Sequence, residues 1–246
     1  MAVGGRMTTE IHADNLSLTL EGKLILSGLN FRATERRLGI VGRNGSGKTT
    51  LARMIAGLIK PSQGSLTIGG IDISQDRKSA LRAVGILFQN PDHQIIFPTV
   101  EEEIGFGLVQ LGRSKAEVVT EIDAILRRFD KEHWRRVGIH RLSQGQKQLI
   151  CLMSILAMRP KTILLDEPFS GLDIPTKMQL ARHLDEIDAQ LVHISHDPAV
   201  LQNYDRVLWI DEGKLREDGP AATVLERFEA AMIAQGGTDD LANLAG

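Results

Sequence analysis

One segment of eight residues limits the folds open to this chain more than any other feature. Gly42 to Thr49 reads GRNGSGKT and matches the pattern G-x-x-x-x-G-K-[ST]. The apolar run Leu38 to Val41 precedes it, and Leu51, Met54 and Ile55 follow it at helical spacing. This is the strand–loop–helix context that a phosphate-binding loop requires. The segment therefore predicts a nucleotide site within an α/β fold.

The chemistry of this loop suits phosphate. Its glycines let consecutive backbone N–H groups turn inward and form an anion site. The helix that begins near Lys48 adds its positive end. Lys48 would contact the β- and γ-phosphates, and the hydroxyl of Thr49 would help to hold Mg²⁺. We predict nucleotide contacts along the loop from Gly42, Asn44, Gly45, Ser46, Gly47, Lys48, Thr49 and Thr50.

Two adjacent carboxylates, Asp166 and Glu167, follow the apolar residues Ile163 to Leu165. The carboxyl end of a strand is where ligands bind in an open α/β sheet. With ATP in the loop, Asp166 would hold Mg²⁺ through water, and Glu167 would act as the general base on the attacking water. An isolated Asp-Glu pair is more often a solvated acidic turn, but the phosphate loop favours the functional interpretation.

Strand and helix patterns alternate along the chain, which favours a parallel α/β sheet. Apolar patterns predict strands at Ile11–Leu20, Leu24–Thr34, Leu38–Val41, Leu66–Ile68, Val84–Phe88, Thr162–Leu165, Leu191–Ile194 and Val207–Ile210. Helical patterns run from Lys48 to near Lys60, after a capping box of Ser114 and Glu117, over Gln144–Met158 with Ser143 as its N-cap, and over Pro175–Ile187 and Ala221–Ala231. We expect a core of residues 1–88 and 160–235 with an antiparallel β edge, a helical subdomain over 89–159, and a frayed tail over 236–246.

Composition excludes several classes. The net charge of -2 and the 4% aromatic content argue against a nucleic-acid partner. The longest apolar stretch, Leu149 to Met158, is far shorter than the roughly 20 residues of a membrane helix. The N-terminus has no hydrophobic segment typical of a signal peptide. Cys151 is the only cysteine and lies in that apolar stretch, so we expect a buried core thiol in a reducing compartment.

Four further motifs resemble those of the ABC ATPases, in the order that this family has them. Leu142 to Gln146 (LSQGQ) resembles the signature L-S-G-G-Q, with Gln144 in place of the first glycine. Phe88-Gln89 resembles the Q-loop, and Ser170 to Asp173 resembles the D-loop. Ser195-His196-Asp197 resembles the segment that carries the switch histidine. Together with the phosphate loop, these motifs extend the resemblance over almost the whole chain.

The resemblance implies a P-loop NTPase of the ABC cassette type, with a RecA-like core and a helical subdomain, that binds and hydrolyses ATP with Mg²⁺. It implies catalytic roles for Lys48, Gln89, Glu167 and His196, and metal binding by Thr49, Gln89 and Asp166. The facing subunit of a head-to-tail dimer would supply Ser143, Gly145 and Gln146 to the nucleotide. Since every such position is filled, a homodimer needs no second chain to complete it.

Leu20 occupies the position near which family members often stack adenine on an aromatic ring. A leucine offers apolar cover without stacking, so we expect modest selectivity for the base.

Residues 88–107 resemble the ATPases of energy-coupling-factor (ECF) importers, in which F-Q-N-P-D-x-Q and T-V-x-E-[DE]-[IV]-x-F-G recur. This resemblance implies a transmembrane coupling protein and a substrate-binding membrane subunit as partners, and a peripheral position on the cytoplasmic face of the membrane. Biotin importers are the most similar branch, and cobalt and nickel importers are the next. Ile95 to Phe97 would either contact a partner helix or pack inside the helical subdomain. We expect the acidic run Glu101 to Glu103 to be a solvated helix start.

Two other classes are less consistent with the chain. Soluble ABC proteins that act on nucleic acid carry two cassettes or a long coiled coil, and this chain has one cassette and no sustained heptads. A nucleotide-binding module without hydrolytic activity would not need both Glu167 and His196.

Overall fold

A computed structural model describes residues 9–75 and 77–236. The strands are β1 (Ile11–Leu20), β2 (Lys23–Ala33), β3 (Arg37–Val41), β4 (Gln63–Ile68), β5 (Ile71–Asp72), β6 (Val84–Leu87), β7 (Thr162–Asp166), β8 (Gln190–Ser195), β9 (Arg206–Asp211) and β10 (Lys214–Pro220). The α-helices are α1 (Lys48–Ile55), α2 (Arg77–Ala83), α3 (Val100–Gln110), α4 (Lys115–Arg128), α5 (Gln144–Ala157), α6 (Ile174–Asp185) and α7 (Ala221–Gly236). Short 3₁₀ helices lie at Pro91–His93, Glu132–Trp134, Ile139–Arg141 and Pro198–Leu201.

The larger sheet has the strand order β10-β9-β3-β8-β7-β6. Every pair in it is parallel except the edge pair of β9 and β10. β7 and β8 are buried along their whole length, as expected for parallel strands that are covered on both faces. This sheet confirms the α/β fold class predicted from the alternating strand and helix patterns.

A smaller antiparallel sheet has the order β2-β1-β4-β5. It shares one hydrophobic core with α1 and the larger sheet. Leu26 of β2, Leu51 of α1 and Leu164 of β7 all belong to this core, and each is fully buried. Burial of such leucines contributes roughly 1.5–3 kcal/mol each, so the two sheets and α1 stabilise one another.

The turn between β9 and β10 joins the small sheet to the phosphate loop. Gly213 has a φ of 73° and accepts a hydrogen bond from the N–H of Ser27 at 2.9 Å. Its own N–H donates to the carbonyl of Ser46 at 3.0 Å. This one residue therefore holds the loop between β3 and α1 against β2.

Helices α3, α4 and α5 pack on a second core, to which Val100, Ile104, Leu108, Ile122, Leu126, Ile150 and Met153 belong. The predicted capping box of Ser114 and Glu117 begins α4, and Ser143 caps α5 as predicted. Cys151 is buried in α5. Among the described residues, no helix has both the length and the apolar character needed to cross a membrane. The division at residues 88 and 160 remains a proposal, and the predicted tail lies, beyond Gly236, outside the described residues.

The structure corrects several local predictions. α1 ends at Ile55 and not near Lys60, because Gly57 adopts a φ of 70°, and Leu58 is exposed. Glu103 is only 7% exposed, so the acidic run is not solvated along its whole length. α2 and β10 had no apolar pattern that predicted them. β10 is an edge strand with exposed and half-buried residues in alternation, which carries little hydrophobic signal.

We predict that Gly213→Ala destabilises the fold more than Gly22→Ala does. Both glycines have a positive φ, 73° and 79°, so both alanines incur roughly 1–2 kcal/mol of backbone strain. A Cβ at Gly213 would lie 2.3 Å from the carbonyl oxygen of Ile25, whereas a Cβ at Gly22 meets nothing within 4 Å. This contact adds about 1–3 kcal/mol. Urea denaturation measures the difference, and equal losses for the two variants would contradict the role assigned to Gly213.

Candidate active site

The loops that carry the predicted site residues lie side by side along one edge of the larger sheet. The registers Val41↔Ser195, Asp166↔Ile194 and Leu87↔Leu165 place the carboxyl ends of β3, β8, β7 and β6 at the same level. These strands are followed by the phosphate loop, His196, Glu167 and Gln89, respectively. This edge is where open α/β sheets bind ligands.

The phosphate loop depends on glycine at two of its positions. Gly47 has a φ of 103°, and a Cβ there would lie 2.6 Å from the Leu26 side chain. A Cβ at Gly42 would lie 2.2 Å from the carbonyl oxygen of Ile210. The loop is therefore packed tightly between β2 and β9. Gly47, which has no side chain, directly precedes the first residue of α1, Lys48.

Lys48 lies over its own loop. The residue is 7% exposed, and Nζ donates to the carbonyl oxygens of Gly42 at 2.7 Å and Arg43 at 2.8 Å. Burial lowers the pKa of Lys48 below its usual value, and the charges of Glu167 and Asp166 offset only part of this effect. The hydroxyl of Ser46 is also buried and has no hydrogen-bond partner among the described residues. An ammonium and an unpaired hydroxyl in one loop suit an anionic ligand with several oxygens.

Asp166 ends β7 next to this loop. The Thr49 hydroxyl donates to Asp166 Oδ1 at 3.4 Å. Burial is the main cause that raises the pKa of Asp166, and the neighbouring charge of Glu167 raises it further. A hydroxyl and a carboxylate that meet beside a phosphate site are hard oxygen donors, the ligands that Mg²⁺ prefers. The residues present therefore fit this ion.

Glu167 has a φ of 51°, an uncommon conformation for a residue other than glycine, and such strain often marks functional sites. Its Oε1 accepts a hydrogen bond from the backbone N–H of His196 at 2.7 Å and lies 2.7 Å from the Nδ1 of the same residue. Oε2 accepts a hydrogen bond from the Ser195 hydroxyl at 3.3 Å. The side chain of Glu167 is 15% exposed and that of His196 is 57% exposed. The carboxylate is thus held in place by donors from the end of β8.

The Ser195 hydroxyl was not predicted to have a role. The available signal was its position, since it is a polar residue that closes the apolar strand β8 directly before His196.

The signature residues form a closed arrangement at the start of α5. The Ser143 hydroxyl accepts a hydrogen bond from the N–H of Gln146 at 3.3 Å, and the Gln146 side chain accepts one from the N–H of Ser143 at 2.9 Å. A Cβ at Gly145 would lie 2.4 Å from the methyl group of Thr176, so α6 requires glycine there. The Gln144 amide reaches Gly171, where an added Cβ would lie 3.3 Å from its Nε2.

The signature and the carboxylates line different cavities of this chain. A cavity of about 500 Å³ borders Glu167 and His196, and residues 168–171 also form its wall. Gly145 and Gln146 border another cavity of about 380 Å³ between α5 and α6. Neither Ser143 nor Gly145 lines the first cavity, so their predicted contact with the nucleotide remains a prediction.

Two predicted contacts lie at the margin of the site. Gln89 is exposed on the segment that follows β6. Leu20 is 43% exposed at the turn between β1 and β2. β2 reaches the phosphate loop through Leu26, so the hairpin that carries Leu20 is adjacent to the loop. The roles of both residues remain predictions.

Comparison with known proteins agrees with this geometry. Residues 26–170 match the family described as ABC transporter. A biotin transport ATP-binding protein, BioM of Rhodobacter capsulatus, is 47% identical over 91% of this chain and 96% of that protein. The energy-coupling factor transporter ATP-binding protein EcfA of Methanococcus maripaludis is 38% identical over 87% of this chain and 80% of that protein.

A solved structure, cbiO1 from Clostridium perfringens, superposes with a TM-score of 0.78 and 28% identity. The comparison covers 91% of this chain and 93% of that one, and cbiO1 is described as part of the ABC transporter complex cbiONQ. The family matches were expected from the motifs, and the fold match was expected from the alternating strands and helices.

Proposed function

The chain belongs to the ABC transporter family of ATPases, and on this premise we propose that its ATP hydrolysis energises an ECF-type importer of biotin. One observation carries the hydrolytic part of the proposal. Lys48, within the phosphate loop after β3, and Glu167, after β7, lie at the same edge of the sheet, on either side of β8, whose end holds Glu167 through residues 195 and 196.

The phosphate loop binds the triphosphate. Lys48 leaves the carbonyls of Gly42 and Arg43 when a phosphate offers it a stronger, charged acceptor. Backbone N–H groups of residues 44–49 and the positive end of α1 surround the β- and γ-phosphates. The buried hydroxyl of Ser46 gains the partner that it lacks.

Glu167 acts as the general base. The oxygen of a water attacks the γ-phosphorus, the bond from that phosphorus to the β–γ bridging oxygen breaks, and the proton of the water passes to Glu167. The products are ADP and inorganic phosphate. His196 orients Glu167 through its backbone N–H and its Nδ1, and the exposed remainder of its ring contacts the γ-phosphate. Mg²⁺, held by Thr49, Asp166 and Gln89, would neutralise phosphate charge in this site.

A second copy of the chain completes each ATP site. Ser143, Gly145 and Gln146 do not line the cavity that borders Glu167, and they lie at the N-terminus of α5, where a phosphate is favoured. Two copies in head-to-tail contact would place each signature against the other copy's phosphate loop. Leu20 would cover the adenine ring with apolar surface.

Transport requires membrane partners, since no helix in residues 9–75 and 77–236 could cross a membrane. A transmembrane coupling protein and a substrate-binding membrane subunit would supply the path and the selectivity, with this chain on the cytoplasmic face. Ile96 lies in the same segment as Gln89 and is 70% exposed, so it offers apolar surface for such a partner. The relative that is 47% identical over 91% of the chain supports biotin as the transported compound.

We predict that Glu167→Gln abolishes ATP hydrolysis while ATP binding remains. Glutamine keeps the size of the side chain but cannot accept the proton, so kcat should fall by about 10²–10⁴-fold. Phosphate release measures kcat, and fluorescence titration measures affinity. Light scattering should detect a dimer of the variant in the presence of ATP, because ATP that is not hydrolysed keeps the two copies together. Hydrolysis at the rate of the parent protein would disprove the general-base assignment, and a monomer with ATP and Mg²⁺ would disprove the shared site.

We also predict that cells without this chain lose uptake of radiolabelled biotin. The parent protein should restore uptake, and the Glu167→Gln variant should not. Uptake of radiolabelled cobalt or nickel is the control and should stay unchanged. Loss of metal uptake with unaltered biotin uptake would show that the substrate assignment is wrong and would leave the ATPase assignment intact.

A further inference from the structure

We propose that Gln148 is a positioning residue for ATP hydrolysis, because its buried amide holds the backbone of Phe88 and thereby fixes the next residue, Gln89. The proposal rests on the proposed function, which places Gln89 at the ATP site.

Gln148 lies in α5, in the turn that follows the signature residues, and its side chain is 1% exposed. Its Nε2 donates a hydrogen bond to the carbonyl oxygen of Phe88 at 2.9 Å. The contact crosses from the helix of the signature to the end of β6 in the larger sheet. It is therefore a direct polar link between the helix that carries the signature and the strand that leads to Gln89.

The oxygen of the Gln148 amide indicates that this residue does not serve mainly to stabilise the fold. Its Oε1 is buried and has no hydrogen-bond partner among the described residues. A buried acceptor without a partner is costly, and the residues that follow it, Leu149 to Met153, are mostly buried and apolar. A buried polar atom that lacks a hydrogen-bond partner is more typical of a functional residue than of one that only packs.

Phe88 depends on side chains for both of its backbone hydrogen bonds. β6 ends at Leu87, so the sheet no longer pairs the residue that follows. The N–H of Phe88 donates to Oε1 of Gln94 at 3.1 Å, and its carbonyl accepts from Gln148. The side-chain amides of Gln94 and Gln148 therefore fix the position of the Phe88 backbone, and with it the position of the exposed residue Gln89.

The far end of the same segment is held as firmly. The carboxylate of Glu103 accepts hydrogen bonds from the N–H groups of Ile96 at 2.9 Å and Phe97 at 3.0 Å. Asp92, in between, forms an ion pair with Lys147 of α5 at 2.7 Å. Residues 88–97 thus form a braced segment, with Gln89 near one end and the exposed Ile96 near the other. Of these bonds, the one from Gln148 is made to the carbonyl group that is joined directly to the backbone nitrogen of Gln89.

A double-mutant cycle in the full chain tests the proposal. Gln148→Met keeps the length of the side chain, removes the bond to Phe88 and also removes the unpaired acceptor, so folding should survive. We expect kcat to fall by about tenfold, since a displacement of about 1 Å can cost up to about a hundredfold in rate. KM for ATP should change by less than about twofold, because the phosphate loop is untouched. In a Gln89→Ala background the same substitution should have no further effect on kcat.

Gln190→Met is the matched control. Gln190 is another buried glutamine, 3% exposed, with both halves of its amide bonded at the opposite end of β8. Its loss should leave kcat unchanged at a temperature at which the variant is folded. Additive effects of Gln148→Met and Gln89→Ala would overturn the proposal, and so would a Gln89→Ala variant with unchanged kcat. Neither result would touch the general-base assignment, which Glu167→Gln tests separately.

Discussion

The buried ammonium of Lys48 is the feature on which the rest of this site depends. It lies against two carbonyl oxygens of its own loop, and the charges of Glu167 and Asp166 favour its protonated form. Carbonyl dipoles satisfy a buried cation only in part, and a full anionic partner is far stronger. The loop therefore favours binding of a phosphate, which would also provide a hydrogen-bond partner for the Ser46 hydroxyl.

The surrounding fold keeps this loop in one shape. β2 meets Gly47 through Leu26, β9 meets Gly42 through the carbonyl of Ile210, and the turn at Gly213 bonds to Ser46. The glycines are required because neighbouring atoms approach where side chains would lie. On the other side, donors from residues 195 and 196, at the end of β8, hold Glu167, and β8 lies between β7 and the strand that leads into the phosphate loop.

Local signals made part of this structure predictable. The phosphate loop, the capping residues Ser114 and Ser143, and the buried strands all depend on short-range chemistry that a single sequence displays. The α/β class followed from them, and the family followed from the order of the motifs. The roles of individual residues such as Gln89 and Leu20 remain predictions.

Other features depend on contacts between distant segments. Glu103 belongs to an acidic run that was predicted to be solvated. Its carboxylate is buried because it accepts hydrogen bonds from the N–H groups of residues 96 and 97. Gln148 lies in an apolar helix, and nothing local reveals that it reaches Phe88, 60 positions earlier. β10 is formed because β9 offers it an edge and not because of its own apolar content.

A crystal structure of the chain with a non-hydrolysable ATP analogue and Mg²⁺ tests the central claim most directly. We expect the phosphates to contact the N–H groups of residues 44–49, with Lys48 Nζ turned from the carbonyls of Gly42 and Arg43 to a phosphate oxygen, and the γ-phosphate beside Glu167. A nucleotide bound elsewhere, with Lys48 still on those two carbonyls, would contradict the account.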